Sequence, residues 1–290
     1  MATRMIWAML LVAGIAAGTI ADRPVRNEPL TLGGYRVIAA DFHTHSSLWS
    51  NGMLTPWGLV LEAERQGLDA VAITGHNEVW DAKVARAFSR AIGGPEVVIG
   101  QEVHNVDHHA IALGIDRVVD FRLPIVQQIE RIHEQGGVAI AAHPLRYFFP
   151  GFRREAIRAL DGTEICHPAL YFDPYAQLDL ESFARRGSMA AIGSSDFHGW
   201  GRVGDCRTYV FATDSSAGAI VEAIRAHRTV VYTPLGKTYG DPSLVALADA
   251  HPSLRERATI LPKPGALDWF SRIAGLVGLA GVVLTRRRGR

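Results

Sequence analysis

The sequence predicts an α/β fold in which short parallel strands alternate with helices and close into a barrel. Three observations carry that expectation. Apolar runs of strand length alternate with amphipathic stretches of helix length. Glycines stop the helices. About seven such units follow one another, which suits a closed barrel better than an open sheet. The 290 residues hold one domain of ordinary enzyme size plus short appendages, and an apolar share of 48% with 20% charged residues excludes a disordered chain.

The elements follow in order. Tyr35 to His43 reads as a strand ending in polar residues. Thr55-Pro56 opens a helix, with Thr as N-cap and Pro in the first position, that runs to Gln66 and stops at Gly67. Ala70 to Thr74 is a strand ending at Gly75-His76, and Val79 to Ile92 a helix closed by Gly93-Gly94. Glu96 to Ile99 is the next strand, ending at Gly100-Gln101-Glu102, and His109 to Ile115 another. Pro124 to Gln135 is a helix stopped by Gly136-Gly137, and Val138 to Ala142 a strand ending at His143-Pro144. Helices at Glu155–Leu160 and Leu178–Arg186 bracket a strand at Gly162–Cys166. Met189 to Ile192 ends at Gly193-Ser194-Ser195-Asp196, Tyr209 to Ala212 is one more strand, and Ser216 to Ala226 a last helix.

Both termini differ from this body. Ile6 to Ile20 is an uncharged apolar run behind Arg4, so residues 1–21 read as a signal peptide or N-terminal anchor. Leu267 to Leu284 is long enough to span a bilayer, and residues 266–290 read as a transmembrane segment with a basic tail, Arg286 to Arg290. Gly275, Gly278 and Gly281 suit close helix packing in lipid. Residues 30–240 form the main domain in this reading, and 241–265, with Pro262, Pro264 and Gly265, a linker. Arg4 and the basic tail would both stay cytoplasmic, which places the body outside the cytoplasm.

A net charge of +1 supplies no field to recruit nucleic acid, and none is expected as a partner. The two cysteines, Cys166 and Cys206, exclude a Cys-rich zinc site; in an oxidising compartment they can pair. The twelve histidines are more informative, because several stand just past strand ends. In β/α barrels that rim is where active sites are built. His43 and His45 lie two apart on a strand, so their imidazoles point the same way and can share a cation. Asp196 and His198 repeat the spacing, and His76, Glu102 and His143 end other strands. Clustered imidazoles and carboxylates suit Zn, Mn or Fe.

The ordered motifs Asp41-Phe-His-Thr-His-Ser46, Ile73-Thr-Gly-His-Asn77, Gly100-Gln-Glu102, His109-Ala-Ile-Ala-Leu-Gly114, Ala142-His-Pro144 and Gly193-Ser-Ser-Asp-Phe-His198 resemble those of the PHP (polymerase and histidinol phosphatase) superfamily. Arg207 to Ala212 and Ala223 to Tyr232 look like the tail of its CehA/McbA-type metallohydrolase branch. The resemblance covers residues 36–235. It implies a distorted (β/α)7 barrel with a centre of two or three divalent metals. By motif, His43, His45 and Asp196 would hold one ion, Glu102 would bridge it to a second held by His109 and His143, and His76 with His198 would hold a third. His109, five residues before Gly114, is chosen over His108, which becomes a neighbour, and His104 is expected to face solvent.

Two departures strike the third site. The family's Ser-Asp-Gly is Ser50-Asn51-Gly52 here, and its Thr-Asp-His is Thr74-Gly75-His76. Two firmly bound metals and a weak or absent third are therefore expected. The resemblance implies a hydroxide nucleophile generated from metal-bound water. Asp196 would orient it or accept its proton, Glu102 would hold the metals together, and, if the third metal is absent, His198 or His76 would protonate the leaving group. Arg202 is a candidate contact for an anionic substrate, or else a salt-bridged surface residue. Small-molecule phosphoester hydrolysis is the leading expectation; carbamate or carboxylic ester hydrolysis and a non-catalytic, membrane-tethered binding module are the alternatives. Oligomeric state is not legible in the chain.

Overall fold

In the computed structural model, which describes residues 2–21, 28–145, 149–170, 173–259 and 265–287, the chain falls into two compact units. The first is a pair of terminal helices, α1 (Ala2–Ala21) and α10 (Ala266–Arg287). Both contain stretches, Thr3–Ala21 and Ala266–Thr285, long and apolar enough to cross a membrane. Glycines let the two backbones touch. A Cβ on Gly14 would collide with Gly275, one on Gly278 with Leu11 and one on Gly281 with Trp7. The Ser271 hydroxyl donates to Gly14 O at 2.8 Å, and the Arg4 guanidinium donates to Thr285 O at the opposite end of the pair.

The second unit is the barrel. After the short β1 (Leu30–Leu32) come β2 (Tyr35–Asp41), α2 (Pro56–Arg65), β3 (Ala70–Ile73), α3 (Trp80–Ile92), β4 (Glu96–His104) and β5 (His109–Leu113). Then follow α4 (Ile125–His133), β6 (Val138–Ala141), α5 (Arg154–Ala159), β7 (Gly162–Cys166), α6 (Pro174–Ala184) and β8 (Ala190–Gly193). The chain continues with β9 (Thr208–Ala212), α7 (Ala217–Arg225), β10 (Thr229–Tyr232), β11 (Thr238–Gly240), α8 (Pro242–Asp249) and α9 (Pro252–Thr259). The helices start where capping chemistry puts them. Thr55, Asp173, Ser216 and Asp241 each accept backbone N–H groups of the first turn, and Pro56, Pro174 and Pro242 follow the caps at positions that need no N–H partner.

The strands pair in the order β11-β10-β9-β2-β3-β4-β5-β6-β7-β8, with β1 on β2. The ring nearly closes between β8 and β9. There the Thr208 hydroxyl accepts from Gly193 N–H at 2.9 Å and donates to Gly193 O at 2.7 Å, a side-chain bridge in place of a ladder. Gly193 is required at this seam, since a Cβ would strike the Cys206 carbonyl. Cys166, ending β7, and Cys206, leading into β9, form a disulfide across the same seam. Strand alternation sorts the core: Val37 and Ala39 pack with residues of α2 and α3, whereas Ile38 and Ala40 pack with Ile220, Val221, Ala223 and Ile224 of α7.

Two expectations need correction. The strands are not uniformly parallel. β4 turns straight into β5 without a helix, so β4–β5 and β5–β6 are antiparallel, as are β2–β9 and β9–β10. Nor is 241–265 a linker throughout. α8 and α9 occupy most of it, and their Leu244, Ala248 and Leu254 are buried in the main core. Pro262 and Pro264 lie outside the described residues, as do residues 288–290 of the basic tail.

Candidate metal centre

The C-terminal ends of β2, β3, β4, β6 and β8 bring His43, His45, His76, Glu102, His143, Asp196 and His198 to one mouth of the barrel, and β5 adds His109 from its first residue. Glu102 sits at the centre, almost completely buried. Its Oε2 lies 2.9 Å from His76 Nε2, 3.4 Å from His43 Nε2 and 3.4 Å from His45 Nε2. Its Oε1 lies 2.9 Å from His109 Nδ1 and 3.5 Å from His143 Nε2. Asp196 Oδ1 stands 3.0 Å from His45 Nε2 and 3.2 Å from His43 Nε2. His198 stacks on His45 with ring centroids 4.1 Å apart, and its Nδ1 donates to the Asp196 backbone carbonyl at 2.9 Å.

Local backbone geometry aims these groups. His143 and Asp196 occupy the left-handed region at φ 29° and 48°, which costs energy for a residue with a Cβ and persists where surrounding contacts enforce it. The Asp41 carboxylate supplies such contacts: it accepts from Ser195 N–H at 3.0 Å, Gly204 N–H at 2.7 Å and His43 N–H at 3.3 Å, tying the first motif to the last. Gly52 folds back against His45 so closely that a Cβ would strike the His45 carbonyl.

Two residues, Glu164 and His167, are absent from the motif reading and belong here. Glu164, inside β7, accepts from His43 Nδ1 at 2.8 Å, from His143 N–H at 2.7 Å and from the Ser194 hydroxyl. His167 follows β7, with Nε2 3.2 Å from Asp196 Oδ2. Ala169 N–H donates to its Nδ1 at 3.3 Å, so a neutral His167 carries its proton on Nε2 and donates it to Asp196. His104, expected to face solvent, is half-buried and packs between His76 and His109. His108 is a neighbour, as expected, buried with Nε2 2.8 Å from Gln128 Oε1. Asn51 is exposed and accepts from Ser50, whose oxygen is also 3.3 Å from His45 Nδ1. Arg202 pairs with Asp205 at 2.9 Å.

The electrostatics follow from burial of two carboxylates among imidazoles. Burial alone would raise Glu102, yet His43, with the imidazoles of His109 and His143 close beside its carboxylate, holds it well below the usual carboxylate range. Burial likewise opposes ionisation of Asp196, and His43, His167 and His45 more than reverse it. Burial works against a charge on His43, but Asp196, Glu164 and Glu102 push it well above the ordinary value. His45, driven down to about 4 by burial, is neutral at pH 7.

These residues fit divalent cations. The buried Nε2 of His43 and Nδ1 of His109 lack a well-formed hydrogen bond, and both face Glu102. Donor atoms of His43, His45 and Asp196, of His43, Glu102 and His143, and of His45, His76 and His198 form three groups, each within 4.8 Å. Imidazole with carboxylate is the donor set of Zn, Mn and Fe sites.

Residues 179–229 match the family model PHP-associated. The chain is 31% identical over 115 residues to "Uncharacterized protein MJ1587" of Methanocaldococcus jannaschii, spanning 36% of this chain and 67% of that protein. Among solved structures, it resembles a two-domain Bacteroides vulgatus protein described as containing a predicted PHP-like metal-dependent phosphoesterase. The TM-score is 0.63 at 22% identity, covering 79% of this chain and 74% of the other. That likeness is one of fold.

Proposed function

We propose, on the premise that this chain belongs to the same family as the archaeal protein MJ1587 and to the PHP superfamily, that it is a metal-dependent hydrolase of small phosphoric esters. The carrying observation is Glu102, whose two carboxylate oxygens face two different sets of imidazoles and so suit a bridge between cations. His43, His45 and Asp196 would hold one ion, His109 and His143 the second, and His76 with His198 a weaker third. Divalent ions held there would bring a water molecule's pKa toward neutrality and draw negative charge off the scissile group.

The chain's own residues supply the rest. Asp196, ionised and fixed by His167, orients the attacking water or accepts its proton. His198 and His76 are the most exposed imidazoles of that set, at 31% and 27%, and where no third ion occupies them they can protonate a leaving group. Glu164 and Asp41 act on orientation, not on substrate.

Phosphoester hydrolysis is tested with aryl phosphate, phosphodiester, phosphonate and carbamate substrates, each with added Mn, Zn or Fe. Turnover of phosphate esters above the others supports the proposal. Turnover confined to carbamates or carboxylic esters transfers the same centre to acyl chemistry. No turnover on any member leaves the binding-module reading.

The same reading places the barrel outside the cytoplasm, tethered by α1 and α10. The Cys166–Cys206 bond supports this, because such bonds persist in oxidising compartments. Protease added to intact cells should digest the barrel; protection until the membrane is broken would reverse the topology.

A further inference from the structure

We propose that His104 is a metal ligand, forming with His76 and Glu102 a cation site that the motif spacing does not assign. The inference rests on the metallohydrolase reading and deepens it. His104 is the last residue of β4, two positions after Glu102, so strand alternation sends both side chains to the same side. Donor atoms of His76, Glu102 and His104 lie within 4.8 Å of one another. The His104 ring centroid is 4.4 Å from that of His76 and 3.8 Å from that of His109.

Two independent observations point to a ligand. The Nδ1 of His104 is buried and has no hydrogen-bond partner, a state that coordination would satisfy. The backbone of His104 is also clamped at both ends by one side chain. Asn77 Oδ1 accepts from His104 N–H at 2.9 Å, and Asn77 Nδ2 donates to His104 O at 3.0 Å. Asn77 directly follows His76, lies in the left-handed region at φ 57°, and donates its own N–H to Glu102 O at 3.0 Å. A single residue therefore sets His76, Glu102 and His104 relative to one another, as a preformed site requires.

Two imidazoles and one carboxylate favour borderline ions such as Zn²⁺ or Co²⁺ over Mg²⁺. The test uses the full chain in detergent, stripped with chelator and titrated with Zn²⁺ by calorimetry, with bound zinc counted by elemental analysis. His104→Ala and the bulkier His104→Gln are compared with wild type and with His133→Ala, a histidine remote from the cluster that pairs with Asp161. Thermal melts verify folding. The proposal expects both His104 variants to lose one zinc equivalent or to weaken one binding step by about tenfold or more, with the other steps and the His133 variant unchanged. Wild-type stoichiometry and stepwise affinities within twofold in both His104 variants would overturn it while leaving the metallohydrolase reading intact. A wild-type chain that takes up no zinc, manganese or iron would overturn both.

Discussion

Glu164 Oε1 stands 2.8 Å from Nδ1 of His43, and this pairing decides what the other edge of the ring can do. With one proton held on Nδ1, His43 can release the other from Nε2 to make way for a cation in the space it shares with Glu102 and Asp196. Glu164 is fully buried, and although burial opposes its charge, His43 holds its carboxyl down to about 2. Glu164→Gln keeps the volume but places an amide N–H₂ among groups that already donate. Metal affinity measured by chelator competition should fall about 10- to 100-fold, with the fold retained. Unchanged affinity would show that packing alone orients His43.

Glu102 is the side chain the centre can least spare. Glu102→Gln removes the charge that faces both sets of imidazoles and replaces half the acceptors with a donor. On the substrate identified by the panel, kcat should drop by about a hundredfold or more, and bound metal should decrease with it. A variant within fivefold of wild type would remove the bridging role and, with it, the mechanism.

The parts of this centre differed in how far the chain announced them. Ligand-type residues after the ends of apolar strands marked His43, His45, His76, Glu102, His143 and Asp196, because strand period and the barrel rim are local rules. The same rule extends to His167, directly after Cys166. Glu164 carried a fainter signal, a carboxylate within the apolar strand Gly162–Cys166, and its partner His43 is remote in sequence. His104 was obscured because β4 runs five residues beyond the strand read from apolar pattern, with Gly100, Gln101 and Glu102 all in the strand. The strand β5 was legible but its antiparallel direction was not, for a related reason: a tight turn at Asn105–His108 resembles any other loop until the pairing of Glu102 with Ile111 is seen. α8 and α9 bury only a few apolar side chains each, too few for a clear helical stripe.

The disulfide joins residues 40 apart in sequence across the barrel seam. Closing a loop of that size restricts the unfolded chain, and opening it should cost about 2–4 kcal/mol. Differential scanning calorimetry with and without reductant should show a melting temperature lower by roughly 5–15 °C in the reduced protein. Cys166→Ala/Cys206→Ala should melt with the reduced form and ignore reductant. Equal melting temperatures for oxidised and reduced wild type would mean that the seam is held by Thr208 and its neighbours alone.

Asp81 gives the barrel a pH dependence separate from the metal ligands. It is buried in the first turn of α3, accepts from the Ser46 hydroxyl at 3.0 Å, and lies beside Glu78. Burial, and then the adjacent Glu78 carboxylate, push the Asp81 carboxyl up to about 8 from an ordinary 3.8. Between those values the folded chain keeps a proton that the unfolded chain has released, so stability falls as pH rises. The contribution is fully present below about pH 4 and is lost as pH rises through about 8. Asp81→Asn carries a permanent donor where the protonated acid stands, and it can still accept from Ser46. Wild type should therefore lose thermal stability between pH 5 and pH 9 while Asp81→Asn shows a clearly shallower decline, the two converging at the acid end. Parallel declines in both proteins would assign the pH dependence to other groups and leave Asp81 ionised in the folded barrel.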